Sequence, residues 1–140
     1  MSSNRGSPNI KLLALGTVGQ QLGDKLKDPW ANEEVLGMLA DMVMDVYGME
    51  SSLMRSLKLD ARGETEKAEL AGLMTRLICN DAMHRLEIRA REVLAATCEG
   101  DVLTTTLSAL RRTVKQQPVN SVALRRQIAD VVIEKEALPV

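Results

Sequence analysis

The chain's one histidine, His84, closes the segment Asp81-Ala-Met-His84. A carboxylate three residues ahead of a histidine shares a helix face with it, and helical di-iron centres hold metal with that element. Such a centre needs two of these elements and two further glutamates, which a single histidine cannot provide. The plainer reading pairs Asp81 with Arg85 and Glu87 with Arg91 at i,i+4 along a solvated face. Cys79 and Cys98 stand nineteen residues apart, with no Cys-x-x-Cys spacing and no histidine within helical reach. They read as small buried apolar groups of a reducing compartment, not as nucleophiles, zinc ligands or a disulfide. No serine sits in a Gly-x-Ser-x-Gly turn, and there is no Gly-x-Gly-x-x-Gly after a strand and no Walker loop. The sequence therefore assigns no catalytic, cofactor-binding or metal-binding residue to this chain.

Glu50 is the polar residue that most needs an explanation. It falls on a stripe of inward positions, Leu36, Leu39, Val43, Val46, Glu50, Leu53 and Leu57, at 3-4-3-4 spacing. An unpaired carboxylate in a core costs several kcal/mol. If the helix carrying it folds back at a turn near residue 61, Glu50 lies opposite residue 73 or so, within a turn of Arg76. We therefore expect a Glu50–Arg76 ion pair, with Arg55 meeting Glu66 or Glu69 nearer the turn.

The elements that must position these side chains are helical. The 140 residues contain no Phe, one Trp and one Tyr; Leu, Met, Val and Ala carry the core. The composition favours an all-α fold, long enough for a self-sufficient core. Residues 1–8 read as a disordered lead-in, and 9–138 as one helical bundle domain. A first helix can begin at Asn9, with Gly16, Gly19 and Gly23 weakening it or allowing a close approach to another helix. Asp28-Pro29 ends it, because the residue before proline avoids the helical region. Asn32 then caps a central helix running to about Leu59, whose methionines at 38, 42, 49 and 54 widen its apolar stripe. Asp60-Ala-Arg-Gly63 is too short for anything but an antiparallel return. A third helix opens at Glu64 or Thr65, follows Leu70, Leu73, Leu77, Leu86, Val93 and Leu94, and stops at Glu99-Gly100. A fourth runs from Asp101 to Gln117 on Leu103, Leu107, Leu110 and Val114. A last helix follows Asn120 or Ser121, with Ile128, Val131 and Val132 inward. About five helical segments with short turns give an antiparallel four-helix-type bundle.

The net charge of −1 hides an asymmetry: five of the 18 basic residues, Arg111, Arg112, Lys115, Arg125 and Arg126, fall between 111 and 126 with no acid among them. The cluster either complements neighbouring acidic helices or contacts an acidic partner. The near absence of aromatics argues against a single-strand nucleic-acid binder. No stretch reaches the roughly 18 apolar residues of a membrane span, and the opening residues lack the apolar run of a signal peptide. A soluble, cytoplasmic protein is expected.

Two stretches add a resemblance. Asp41-Met-Val-Met-Asp-Val-Tyr-Gly-Met-Glu50-Ser-Ser-Leu-Met-Arg55 resembles the helix in the C-terminal extension of very-long-chain-type acyl-CoA dehydrogenases, where an Ala-Asp...Tyr-Ala-Met-Glu-Ser...Leu-Arg pattern recurs. Val122-Ala-Leu-Arg-Arg-Gln-Ile-Ala-Asp130 is similar to the Leu-Arg-Arg-x-Ile-Ala-Asp close of that extension. The two lie in the right order, and the resemblance covers roughly residues 10 to 138.

Members of that family are flavoenzymes that remove hydrogens from C2 and C3 of a fatty acyl-CoA with a glutamate base and bound FAD. The resemblance implies that base, flavin and acyl-CoA contacts lie in a dehydrogenase core upstream of this extension. No catalytic or cofactor residue is carried over here, and FAD is implied only for the parent enzyme. The implied role is packing against the enzyme's own core and partner subunit, in a homo-oligomer. Glu50, Arg55, Arg125 and Arg126 match the pattern, and with Arg76 they are the structural or interface candidates. Without its core the chain should expose an apolar face and self-associate. The alternative is a free-standing helical interaction module whose basic end binds an acidic partner.

Overall fold

A computed structural model describes residues 29–135. The first expected helix and the 1–8 lead-in lie outside the described residues. Those described form four helices and no strand: α1, Pro29–Ala61; α2, Thr65–Thr97; α3, Gly100–Thr113; α4, Ser121–Lys135. The all-α reading is what the structure shows, with four of the expected segments described.

α1 starts at Pro29, ahead of the expected cap at Asn32. Proline suits a first helical position because its fixed φ is helical and its missing N–H would have no intrahelical acceptor. Asn32 thus lies inside the helix. The return after α1 is set by backbone chemistry: Gly63 has φ 73°, its N–H donates to the Asp60 carbonyl at 2.9 Å, and the Glu64 N–H donates to the Leu59 carbonyl at 3.2 Å. That pair of bonds is the Schellman arrangement, which satisfies carbonyls at the helix end and needs a left-handed residue. α2 follows at once, with the Ala68 N–H donating to the Glu64 carbonyl. Gly100, at φ 56°, makes the second left-handed turn. α3 ends at Thr113, four residues before the expected Gln117, its last amide bond running from the Val114 N–H to the Leu110 carbonyl. Pro118 keeps the residue before it out of the helical region. Asn120 caps α4 as expected, its Oδ1 accepting from the Ala123 N–H at 3.0 Å.

The chain divides into two compact units. The described residues of the first are 29–46 and 83–116: the N-terminal half of α1, the C-terminal half of α2, and α3. Its core is Val35, Leu39, Met42, Val46, Met83, Leu86, Val93, Leu94, Cys98, Leu110 and Val114, all buried. The second contains 47–82 and 117–135: the C-terminal half of α1, the N-terminal half of α2, and α4. Met49, Leu59, Leu70, Ala71, Ala82 and Leu124 are buried there. The buried hydroxyl of Thr75 lies 2.7 Å from the Ala71 carbonyl and 3.1 Å from that of Ser52, donating to one at a time. This contact sets the α1–α2 register in the second unit. Among the described residues no buried side-chain nitrogen or oxygen lacks a hydrogen-bond partner.

α1 does not bury the stripe expected for it. The inward positions are Val35, Leu39, Met42, Val46 and Met49, while Leu36, Val43 and Leu57 are exposed. The two stripes share Leu39 and Val46 and differ by one residue at every other step. The observed one puts methionine at 42 and 49 where the expected one put Val43 and Glu50. Choosing Met49 over Glu50 removes a carboxylate from the core, which is the larger energy. Met42 and Met49 fill the core itself, whereas Met38 is half-buried and Met54 exposed.

Candidate functional site

Glu50 and Arg76 are both exposed and do not pair. The register was close: Ser52 lies opposite Thr75, which sets Glu50 level with residue 77. Facing decides the outcome, because both side chains leave their helices on the solvent side. Neither Glu66 nor Glu69 takes Arg55: Glu66 pairs with Lys135 at 2.6 Å. Asp81 does not take Arg85 either. It accepts from Arg125 at 2.6 Å and from Asn80 at 3.1 Å, and Arg85 turns to Asp45. The expected Glu87–Arg91 pair is present at 2.7 Å. Arg126 is exposed, as are Arg111, Arg112 and Lys115 in the other unit.

The first unit contains the most developed polar cluster. Asp45 accepts from Arg85 Nε at 3.0 Å, from the same guanidinium's terminal nitrogen at 2.7 Å, and from Arg89 at 2.7 Å. Arg89 also reaches Asp41 at 3.2 Å. Asp41 and Asp45 stand one turn apart on α1, and Arg85 and Arg89 one turn apart on α2, so two helix rows face each other with opposite charge. The Asp45 side chain is 12% exposed, and guanidinium bonds to a nearly buried carboxylate are of the stronger kind. All four groups are engaged with one another, so the cluster fastens α1 to α2 and leaves no reacting group free. Sequence reading missed it because Asp45 lies in the middle of the identifying stretch, where the notable residue was Glu50. The available signal was the matched spacing: acids at 41 and 45, bases at 85 and 89.

Some charged groups of the second unit make surface ties. Glu66 is held below its ordinary carboxylate range by the hydrogen bond and charge of Lys135, and Glu64 likewise by Lys67, at 2.7 Å. Burial pushes the half-buried Cys79 thiol up; Cys98 is buried, and both thiols are free. His84 is exposed, and among the described residues no group of three or more His, Cys, Asp or Glu is placed to hold a metal.

Glu50 and Arg55 come together elsewhere. With Tyr47, Ser51, Met54 and Lys58 they line a shallow, open depression on the outward face of α1. Tyr47 is 72% exposed and Met54 55%. Within Tyr47-Gly-Met-Glu-Ser51 only Met49 is buried, so the stretch that identifies the chain spends most of its side chains outside the core. No nucleophile, general base or oxyanion donor set converges there. Its lining is an aromatic, a serine, a methionine, one acid and two bases.

Three comparisons bear on what the chain belongs to. Residues 8–112 match the family model described as "Acyl-CoA dehydrogenase, C-terminal domain". A "Probable acyl-CoA dehydrogenase" of Bacillus subtilis (strain 168) is 35% identical over 127 residues, which is 91% of this chain and 21% of that protein. The crystal structure of an acyl-CoA dehydrogenase complexed with FAD from Bacillus anthracis superposes with a TM-score of 0.88 at 31% identity, over 99% of this chain and 24% of that one. The chain thus spans about a quarter or less of the length of these relatives. With a helical fold, matching motifs and a family match over most of its length, the chain belongs to the acyl-CoA dehydrogenase C-terminal domain family.

Proposed function

We propose that this chain serves a flavin-dependent acyl-CoA dehydrogenase of fatty acid β-oxidation in the cytoplasm, as its C-terminal helical domain. It packs against the catalytic core and takes part in subunit assembly. The observation that carries the reading is the superposition of nearly the whole chain on about a quarter of an FAD-complexed dehydrogenase. The described side chains support it: charges are used in fastening helices to one another, while apolar and charged side chains remain on the outward face of α1. Flavin and acyl-CoA then bind to the rest of the enzyme, and this chain supplies surface. Among the described residues no helix is long and apolar enough to cross a membrane.

The test is reconstitution. The purified 140-residue chain should be colourless and should not reduce a dye with palmitoyl-CoA. Mixed with the FAD-complexed Bacillus anthracis dehydrogenase from which the segment matching this chain has been removed, it should co-elute on gel filtration. It should also raise the melting temperature of that remaining core. Bound flavin in the isolated chain, or failure to associate with the core, would overturn the reading.

A further inference from the structure

The depression on α1 is made of two rows at i,i+4 spacing, Tyr47–Ser51–Arg55 and Glu50–Met54–Lys58. Rows of this spacing are the ridges that the commonest class of helix packing fits into a partner's grooves. The second row is balanced about Met54, with an acid one turn before it and a base one turn after. A helix running the opposite way with the same row presents Lys58 to Glu50 and Glu50 to Lys58, and sets Met54 against Met54. A two-fold contact has this form: residue i meets j, j meets i, and the residue on the axis meets itself. A flexible methionine accepts self-contact, where a charge on the axis would repel its copy. Among the described residues Glu50 and Lys58 have no ion-pair partner within the chain, so both are available.

We propose that this face of α1 is a homotypic docking surface. It pairs antiparallel with the same face of a second copy about a two-fold axis at Met54, closed by two Glu50–Lys58 ion pairs. The inference rests on the assembly role proposed above and names the partner and register for one face.

Sedimentation velocity on the full 140-residue chain, from micromolar to submillimolar concentration at low salt, should show a reversible dimer. Glu50→Lys and Lys58→Glu each set like charges against one another twice, and each should raise the dissociation constant about tenfold or more. The double swap restores opposite charges and should return it to within about threefold of the parent. Circular dichroism should be the same for all four chains, since both side chains are exposed. In a Cys79→Ala background, Met54→Cys should cross-link to its copy under mild oxidation much faster than Glu69→Cys does. A monomer throughout, a dimer indifferent to both single swaps, or a double swap no better than the singles would overturn the contact. Failure here with intact binding to the dehydrogenase core would leave the proposed function standing; loss of core binding alone would leave the contact.

Discussion

Asp45 takes three guanidinium hydrogen bonds from two arginines. Asp45→Ala removes all three of those bonds at a partly buried surface and leaves Arg89 its longer contact to Asp41 at 3.2 Å, at a cost of about 1–3 kcal/mol by urea denaturation. Asp45→Ala combined with Arg89→Ala should cost clearly less than the two separately, by about 0.5 kcal/mol or more. Glu50→Ala and Arg76→Ala should instead be additive, each within about 0.5 kcal/mol of the parent, because both side chains are exposed and unpaired. Glu66 gives a pH signature. Its folded pKa is depressed by Lys135, so the tie contributes above the unfolded value and is lost as pH falls through the lowered folded one. An NMR titration should show the Glu66 midpoint rising toward 4.5, its ordinary value, in Lys135→Ala. No rise would mean that the tie does not persist in solution.

Among the elements, the α1–α2 return and the middle of α1 should respond to the same substitution with opposite sign. Gly63 sits at φ 73°, and although a Cβ there meets nothing within 4 Å, the left-handed backbone makes Gly63→Ala cost about 1 kcal/mol. Gly48 lies inside α1, and a Cβ there also meets nothing within 4 Å, so Gly48→Ala should gain up to about 1 kcal/mol. Thermal unfolding of the two variants checks both signs. The elements were largely legible beforehand: glycine at 63 and 100, Asn120 before α4, and apolar spacing through α2 all act over a few residues. The start of α1 and the end of α3 were each displaced by three or four residues. At both, a proline sets the limit by excluding conformations, and the exact residue is settled by local bonding.

At the scale of the whole molecule, Leu86 and Met54 mark the two destinations of apolar side chains. Leu86 is fully buried, and Leu86→Ala should destabilise the chain by about 2–5 kcal/mol in a denaturant titration. Met54 is 55% exposed, and Met54→Ala should leave stability within about 0.5 kcal/mol while weakening self-association. The sequence by itself determined the all-α class, the antiparallel return at Gly63 and the family. Each depends on short-range chemistry: helix-forming composition, left-handed glycine, and motifs written within a dozen residues. Tertiary structure alone decided which partner Asp45, Asp81 and Glu66 would take. Those choices turn on how helices distant in sequence face one another, and a turn of helix exchanges one arginine for the next. The inward face of α1 lay between these cases. Two apolar stripes were available one residue apart; periodicity could not choose, but the cost of burying Glu50 favoured the stripe through Met42 and Met49. That choice turned Tyr47, Glu50, Met54 and Lys58 outward.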